Sequence, residues 1–473
     1  MITKDIKYYK AFSTQADNWI NQNPYSYGAN YKCGQEATLR MINALIAYSV
    51  FKAYGLTTAE DETNLKELVE GSYKKVLSNF FYAHKCIMNN HTLSEITGLI
   101  IGAWCSNDKT SIKKAYELMD KEIKKQFMED GGYIQFSFNY QRFALQIMEF
   151  VLKISKSTGV ELSEKSKDLI KNSALMMYQM QDENGDLPNY GSNDGALIFP
   201  VTTCGYRDFR PIINTIYALI KGTRLHEHGN YDEEILWFSD LNPRDLPYTH
   251  MPKKSMIFKE SGFNVMRHKE GFLMTVLQDF RTRPAHMDQM HIDLCHKGVN
   301  ILCDSGTYSY ASDLGKKMAL TAAHNTVNVD GKEQMKKHGP FLIYDWTHSK
   351  NVNFDENYFK GTMISKNGYS HTRHIRKETN GYIIEDSIIG DFKKVEVLLH
   401  TPCEVEGKEY GVNLIYNNKI IAKIFTEEEI EIRENYRSLY YLEKEKISQI
   451  VINKYTNKSI KYKIILTELD EER

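Results

Sequence analysis

Residues 241–252 read LNPRDLPYTHMP, and the pattern of the chain changes across them. The segment holds three of the ten prolines and few apolar side chains, the composition of a boundary between separately packed regions. Upstream, from about Lys7 to Leu225, apolar residues recur at intervals of three and four. Examples are ATLRMINALIAYSVFKAYG from Ala37, SEITGLIIGAWC from Ser94, YQRFALQIMEFVLKI from Tyr140 and KDLIKNSALMMYQMQ from Lys167. That period predicts helices packed on one another, joined by Gly- and Asn-rich loops such as NPYSYGANYKCG, EDGGYIQFSFN and DENGDLPNYGSNDG. Downstream come short β-like runs: GFLMTVLQDF, GVNILCDSG, HNTVNVDG, GYIIEDSIIG, KKVEVLLHTP, VNLIYNNKIIAKIF and SIKYKIILTEL. Turns separate them and no helix intervenes, which predicts antiparallel sheets stacked as a sandwich. The reading is a multidomain α+β chain, with a helical domain over residues 1–240 and a β domain over 253–473.

At 473 residues and 42% hydrophobic content, the chain can bury a large core, so general disorder is excluded. Lys+Arg 60 against Asp+Glu 61 leaves a formal net charge of -1, and no whole-chain field selects nucleic acid or an acidic membrane. No apolar run approaches the ~18 to 20 residues of a membrane span. Met1 is followed by Ile-Thr-Lys-Asp-Ile-Lys rather than by a secretory apolar core, which reads as cytoplasmic for the chain as written. A longer amino terminus carrying an export signal would make it periplasmic or secreted. The seven cysteines are scattered without a CxxC pair, so neither a disulfide framework nor a thiolate zinc site is indicated and they read as buried free thiols. The acidic tail from Glu468 to Arg473 reads as a frayed terminus.

The densest polar stretch is FRTRPAHMDQMHIDLCHKGVNILCDSGTYSY from Phe280, with AAHNTVNVDG a little further on. Neighbouring strands could bring His286, Asp304 and His324 together, and two imidazoles with one carboxylate suit Zn²⁺. The competing reading is that these groups satisfy one another and nearby backbone. In CIMNNHTLSE, Asn90 and His91 stand at a helix entrance, either as caps or as donors to an anionic substrate. Tyr140 opens an amphipathic helix, as a groove wall or as an acid–base group. Arg207 and Arg210 could fork onto a carboxylate or sulfate, or be held internally by Asp208. No phosphate-binding glycine loop, GxSxG elbow or EF-hand loop is apparent.

Eight segments together resemble the heparinase II/III-like polysaccharide lyases and the alginate lyases of the same architecture. They are YKCGQEATLRMINAL, NNHTLSEITGL, GGYIQFSFNYQRFALQ, NYGSNDGALIFP with YRDFRP, RPAHMDQMHIDL, CDSGTYSY and AHNTVNVDG, in family order over about residues 30–330. The resemblance implies an incomplete α/α toroid followed by an antiparallel β-sandwich. It implies β-elimination, in which a base removes the C5 proton of a uronate and an acid protonates the departing 4-oxygen. It further implies that Asn90 and His91 neutralise the carboxylate, that Tyr140 is the catalytic tyrosine, and that His286, Asp304 and His324 hold a structural zinc ion. Two departures stand out. Position 284, where some members carry a catalytic histidine, is Pro284, and only about thirty residues precede the YKCGQE motif.

The leading reading is therefore a polysaccharide lyase on a uronate-containing anionic glycan, with Arg207, Arg210, Arg281 and Arg283 favouring an anion and Asn193 and Tyr308 as further substrate contacts. The lack of marked positive charge argues against a heavily sulfated chain. Two alternatives compete. One is a glycoside hydrolase drawing on Glu95, Asp194 or Asp288, although no carboxyl pair stands out. The other is a glycan-binding or capsule-assembly protein without turnover.

Overall fold

Backbone hydrogen bonding in a computed structural model divides the described residues, 4–455 and 459–467, into a helical run and then a series of antiparallel strands, interrupted, against expectation, by the short helix Asp313–Met318, which Ser312 caps. The acidic tail at 468–473 lies outside the described residues, as do the first three residues of the amino-terminal stretch. The chain forms two compact units, one of Met1–Gln126 with Ala144–Ile170 and one of Phe127–Phe143 with Lys171–Arg473.

In the first unit, helices span Lys7–Gln22, Gly34–Ala53, Ala59–Tyr82, Asn90–Cys105 and Lys109–Gln126. Helices begin three or four residues ahead of the apolar signal at Ala37 and Ser94, because the openings GQE and NHT are polar. Leu93, Ile96, Ile100 and Ile101 are buried on one of them, and Met41, Ile42 and Val76 are buried on its neighbours. A capping box starts the helix Ala59–Tyr82: Thr58 Oγ1 accepts from the Asp61 backbone at 3.2 Å, and Asp61 Oδ2 accepts from the Thr58 backbone at 2.8 Å. Asp61 also receives the Tyr9 and Ser13 hydroxyls, each at 2.6 Å, which ties the first helix to the third.

In the second unit, an eight-stranded antiparallel sheet, a four-stranded one and a five-stranded one share a single apolar core. Leu273, Ile292 and Leu294 enter it from the five-stranded sheet, Val327, Val397 and Ile450 from the four-stranded one, and Phe359, Ile384 and Ile464 from the eight-stranded one. Asn417 and Asn418 close the hairpin between Gly411–Tyr416 and Lys419–Phe425 with φ of 50° and 62°, the left-handed pair that matches strand twist. Inside the core, Arg373 donates to both carboxylate oxygens of Asp386, at 2.6 and 2.9 Å, and His371 meets Asp386 at 2.7 Å. All three are fully buried.

The cysteines depart from expectation. All seven are free, but only Cys295, Cys303 and Cys403 are buried, whereas Cys86 and Cys105 are exposed. Cys86 falls in the π-turn Ala83–Ile87 and Cys105 ends the helix Asn90–Cys105, positions that turn side chains away from the core.

Candidate active site

In the second unit, the helix Phe138–Thr158 opens with Ser137 Oγ accepting from the Tyr140 backbone at 3.2 Å. The same hydroxyl donates to Ser192 O at 2.5 Å, which fastens the loop NYGSNDG to the helix start. Gly191 makes this approach possible: its φ is 79°, and a Cβ there would lie 2.1 Å from Phe136 O. The loop thereby delivers Asp194 to Tyr140.

The half-buried Tyr140 hydroxyl donates to Asp194 Oδ2 at 2.9 Å and lies 3.0 Å from the Tyr310 hydroxyl. With its proton committed to Asp194, Tyr140 accepts from Tyr310. Asp194 Oδ1 takes Asn139 Nδ2 at 3.3 Å and the Ala196 backbone at 3.1 Å. Tyr206 donates toward both Asn139 Oδ1 and Asn193 Oδ1, each at 2.7 Å, and the Arg142 guanidinium lies 4.2 Å over the Tyr206 ring while its Nη2 reaches Asn139 Oδ1 at 3.0 Å. Burial, reinforced by Tyr310 and the Asp194 carboxylate, pushes the Tyr140 phenol well above its ordinary value, so it stands protonated at neutral pH.

The metal triplet comes together as its residue types suggest. His286, Asp304 and His324 are all buried, with their ligand atoms within 4.8 Å of one another, so the group could hold a metal ion. Asp304 Oδ2 accepts from His324 Nδ1 at 2.8 Å, and Asp304 Oδ1 accepts from the Gly306 backbone at 2.7 Å. Two buried imidazole nitrogens, His286 Nδ1 and His324 Nε2, have no hydrogen-bond partner among the described residues, which fits donors aimed at a cation. Burial, with His324 alongside, lowers the His286 imidazole to about 3 and keeps it neutral. Burial opposes the Asp304 carboxylate, but His324, His291 and His286 outweigh it and hold that group below the usual carboxylate range. His291 Nδ1 accepts from the Asn325 backbone at 3.0 Å, and the ring is fully buried.

Other sequence candidates are placed less uniformly. Arg207 is spent internally, on Asp186 at 2.8 Å, Asn189 at 3.1 Å and Leu187 O at 2.6 Å. Arg210 forks onto Asp208 at 2.9 and 2.7 Å. Arg281 and Arg283 are exposed. Asn193 is buried in the hydrogen-bond network, while Tyr308 adopts a left-handed φ of 57° with Lys444 Nζ 5.7 Å over its ring. The tyrosine that meets Tyr140 is Tyr310 rather than Tyr308, and two tyrosines two positions apart in CDSGTYSY carry no signal that separates them.

In the first unit, Asn89 caps the helix Asn90–Cys105, its Oδ1 accepting from the His91 backbone at 3.0 Å. The cap thus falls one residue earlier than the two candidates. Asn90 is buried, and the half-buried His91 has Nδ1 3.7 Å from Cys33 Sγ. One turn on, Ser94 accepts from Gln35 at 3.1 Å and the buried Glu95 from Asn79 at 2.8 Å.

Two family models cover most of the sequence: Heparinase II/III N-terminus over residues 1–196, and Heparinase II/III-like, C-terminal over residues 250–464. The chain belongs to the heparinase II/III family. It is therefore a polysaccharide lyase. Solved structures share the fold of this heparinase II/III member, a helical toroid followed by an antiparallel β-sandwich. A heparinase III superposes with a TM-score of 0.75 at 14% identity, covering 100% of this chain and 75% of its own. The heparan sulfate lyase HepC of Pedobacter heparinus gives 0.65 at 16% identity, covering 100% and 75%. A Streptomyces coelicolor chondroitin AC lyase in complex with chondroitin sulphate gives 0.59 at 10% identity, covering 96% and 70%. No curated protein matches the heparinase II/III chain in sequence. Among the described residues, no helix is long and apolar enough to cross a membrane.

Proposed function

We propose that this lyase cleaves a uronate-containing glycosaminoglycan by β-elimination, with Tyr140 as its acid and base. The observation that carries the reading is the Tyr140 hydroxyl held between the Asp194 carboxylate and the Tyr310 hydroxyl. The C5–H bond of a uronate is too weak an acid to break unless charge building on the carboxylate is offset. Asn90 and His91 supply that offset as neutral or cationic donors at the capped start of their helix. Tyr140 rests protonated, which suits the delivery of a proton to the departing 4-oxygen. Burial and the Asp194 carboxylate disfavour a free phenolate, so Tyr140 passes its own proton to Asp194 Oδ2, 2.9 Å away, in the same motion in which it takes the C5 proton. As the C5–H bond breaks onto the tyrosine oxygen, its electrons form the C4=C5 double bond, the C4–O4 bond breaks with its electrons on O4, and the proton passes from Tyr140 to O4. Asp194 finally returns the phenolic proton. The heparan sulfate and chondroitin lyases of the same fold support the glycosaminoglycan class.

His286, Asp304 and His324 would hold zinc, since two imidazoles with one carboxylate match its ligand preference. Such an ion would act structurally, tying together three segments of the sandwich unit. A panel of heparan sulfate, chondroitin sulfate, hyaluronan and alginate, read by ultraviolet absorbance of the unsaturated product, tests the reading. A rise on at least one polymer supports it, and release of reducing ends without that absorbance overturns it.

A further inference from the structure

A closed circuit of contacts runs through the second unit. Tyr140 meets Tyr310 at 3.0 Å, and the Tyr310 backbone donates to the Tyr441 hydroxyl at 3.3 Å, with ring centroids 5.8 Å apart. Tyr440, next in sequence, lies 5.7 Å from the Tyr206 ring. Tyr206 then returns through Asn139 and Asp194 to Tyr140. The segment at 438–444, which joins the strands Glu429–Arg437 and Glu445–Lys454, therefore lies beside the tyrosine pair.

That segment is firmly anchored. Ser438 donates its backbone N–H to Ser305 O at 2.8 Å, Asn189 Nδ2 donates to Ser438 O at 2.9 Å, and the Leu442 backbone donates to Tyr308 O at 2.8 Å. Gly306, with φ 78°, allows the approach, because a Cβ there would lie 2.3 Å from Ser438 O. Internal bonds from Ser438 Oγ to Tyr440 O, 2.8 Å, and from the Glu443 backbone to Tyr440 O, 3.1 Å, fix the turn itself. On this rigid base, Tyr440 leaves 41% of its surface exposed. Lys444 is exposed too, with Nζ 4.8 Å over the Tyr436 ring and 5.7 Å over the Tyr308 ring, and no carboxylate among the described residues pairs with it. A cation positioned by two rings and not neutralised by an acid is matched to an anionic ligand, and an exposed tyrosine face to the apolar face of a pyranose.

We propose that residues 438–444 form a glycan-binding subsite beside the Tyr140–Tyr310 pair, in which Tyr440 stacks on one sugar of the chain and Lys444 binds the carboxylate or sulfate of that sugar or its neighbour. The inference rests on the lyase reading above and names a further part of its substrate contact. Because the turn is already ordered, binding there costs little conformational entropy, and its effect falls on substrate affinity rather than on bond breaking.

The test compares Tyr440→Ala, Tyr440→Leu, Tyr440→Phe and Lys444→Ala with the native chain on whichever polymer of the panel is cleaved fastest. Tyr440→Ala and Tyr440→Leu should raise KM about tenfold with kcat held within about twofold, and Tyr440→Phe should behave as native. Lys444→Ala should raise KM about fivefold and flatten its dependence on salt. The leucine variant keeps bulk at the turn, so it separates loss of a flat ring from loss of folding. If KM stays native in all of these while Tyr140→Phe is inactive, the subsite is overturned and the lyase reading stands. If no polymer is cleaved, the lyase reading fails, and calorimetry with octasaccharides of the same four polymers decides the subsite. Binding by the native chain that Tyr440→Ala loses keeps it; absent or unchanged binding ends it.

Discussion

The Tyr140 hydroxyl lies 2.9 Å from Asp194 Oδ2, within the same unit, although 54 residues separate the two in sequence. The contact fixes the direction of the phenolic proton and leaves the tyrosine lone pairs to Tyr310. Tyr140→Phe deletes one hydroxyl and leaves the ring packed, so melting temperature should hold while product absorbance slows by about 10² to 10⁴-fold. Asp194→Asn replaces an acceptor by a group that can also donate, and should cost about 10²-fold in kcat. The double variant should lose less than the product of the two, since both act on one proton.

Asn90 and His91 carry a different expectation. Their donors matter most when negative charge grows on the uronate carboxylate, so Asn90→Ala and His91→Ala should lower kcat by about 10² to 10³-fold and change KM little. Asn89 carries the cap of that helix, and Asn89→Ala should instead lower thermal stability, by about 1 kcal/mol. Steady-state kinetics beside melting curves separates the two effects.

The helices and about half of the strands were legible because apolar periodicity reports burial on one face. The strands His348–Asp355, Tyr358–Ser365 and Tyr369–Glu378 carry no such run. Their inward positions include His371 and the buried Arg373, which look like surface residues until Asp386 is seen opposite. The metal triplet was readable as residue types, but not as strand positions: His286, Asp304 and His324 all stand on loops outside the strands Ile292–His296, Val299–Leu302 and Val327–Val329. The partners of Tyr140 were not readable: Asp194 reaches it through a glycine-dependent loop and Tyr310 from 170 residues away, and no local spacing encodes either contact.

Removing one ligand tests the metal group. Elemental analysis should find about one zinc per native chain, and His324→Ala should abolish it and lower the melting temperature, because both Asp304 and His286 would be left buried beside a void. Chelator treatment of the native chain should reproduce the loss of stability, and added zinc should restore it. Native protein without bound metal, and unchanged by chelator, would remove the zinc assignment.

Arg373 links that region to the sheet core. Besides binding Asp386 it donates to Met290 O and, at 2.9 Å, to Asn325 O, the neighbours of His291 and His324. Arg373→Met leaves the Asp386 carboxylate buried with only His371, and should destabilise the protein by about 3 to 5 kcal/mol in denaturant titration. Arg373→Met combined with Asp386→Leu should recover much of that loss, because the pair is replaced by apolar volume rather than broken.

Glu95 gives a pH signature. The side chain is fully buried, with Oε1 on Asn79 and Oε2 without a partner among the described residues. Burial raises its carboxyl from an ordinary 4.5 to about 7, against the opposing Asn79 hydrogen bond. Between those values the folded chain binds a proton that the unfolded chain has released, so stability falls as pH rises through this window. A shift of that size corresponds to about 3 kcal/mol, fully present below pH 4.5 and lost by about pH 7. Glu95→Gln keeps the shape and an acceptor for Asn79 but cannot ionise. Relative to native, the variant should be more stable at pH 8 by up to about 3 kcal/mol and similar at pH 4.5. Denaturant titrations of both chains across this range check the point, and parallel curves would show that Glu95 ionises in the folded state as it does in the unfolded one.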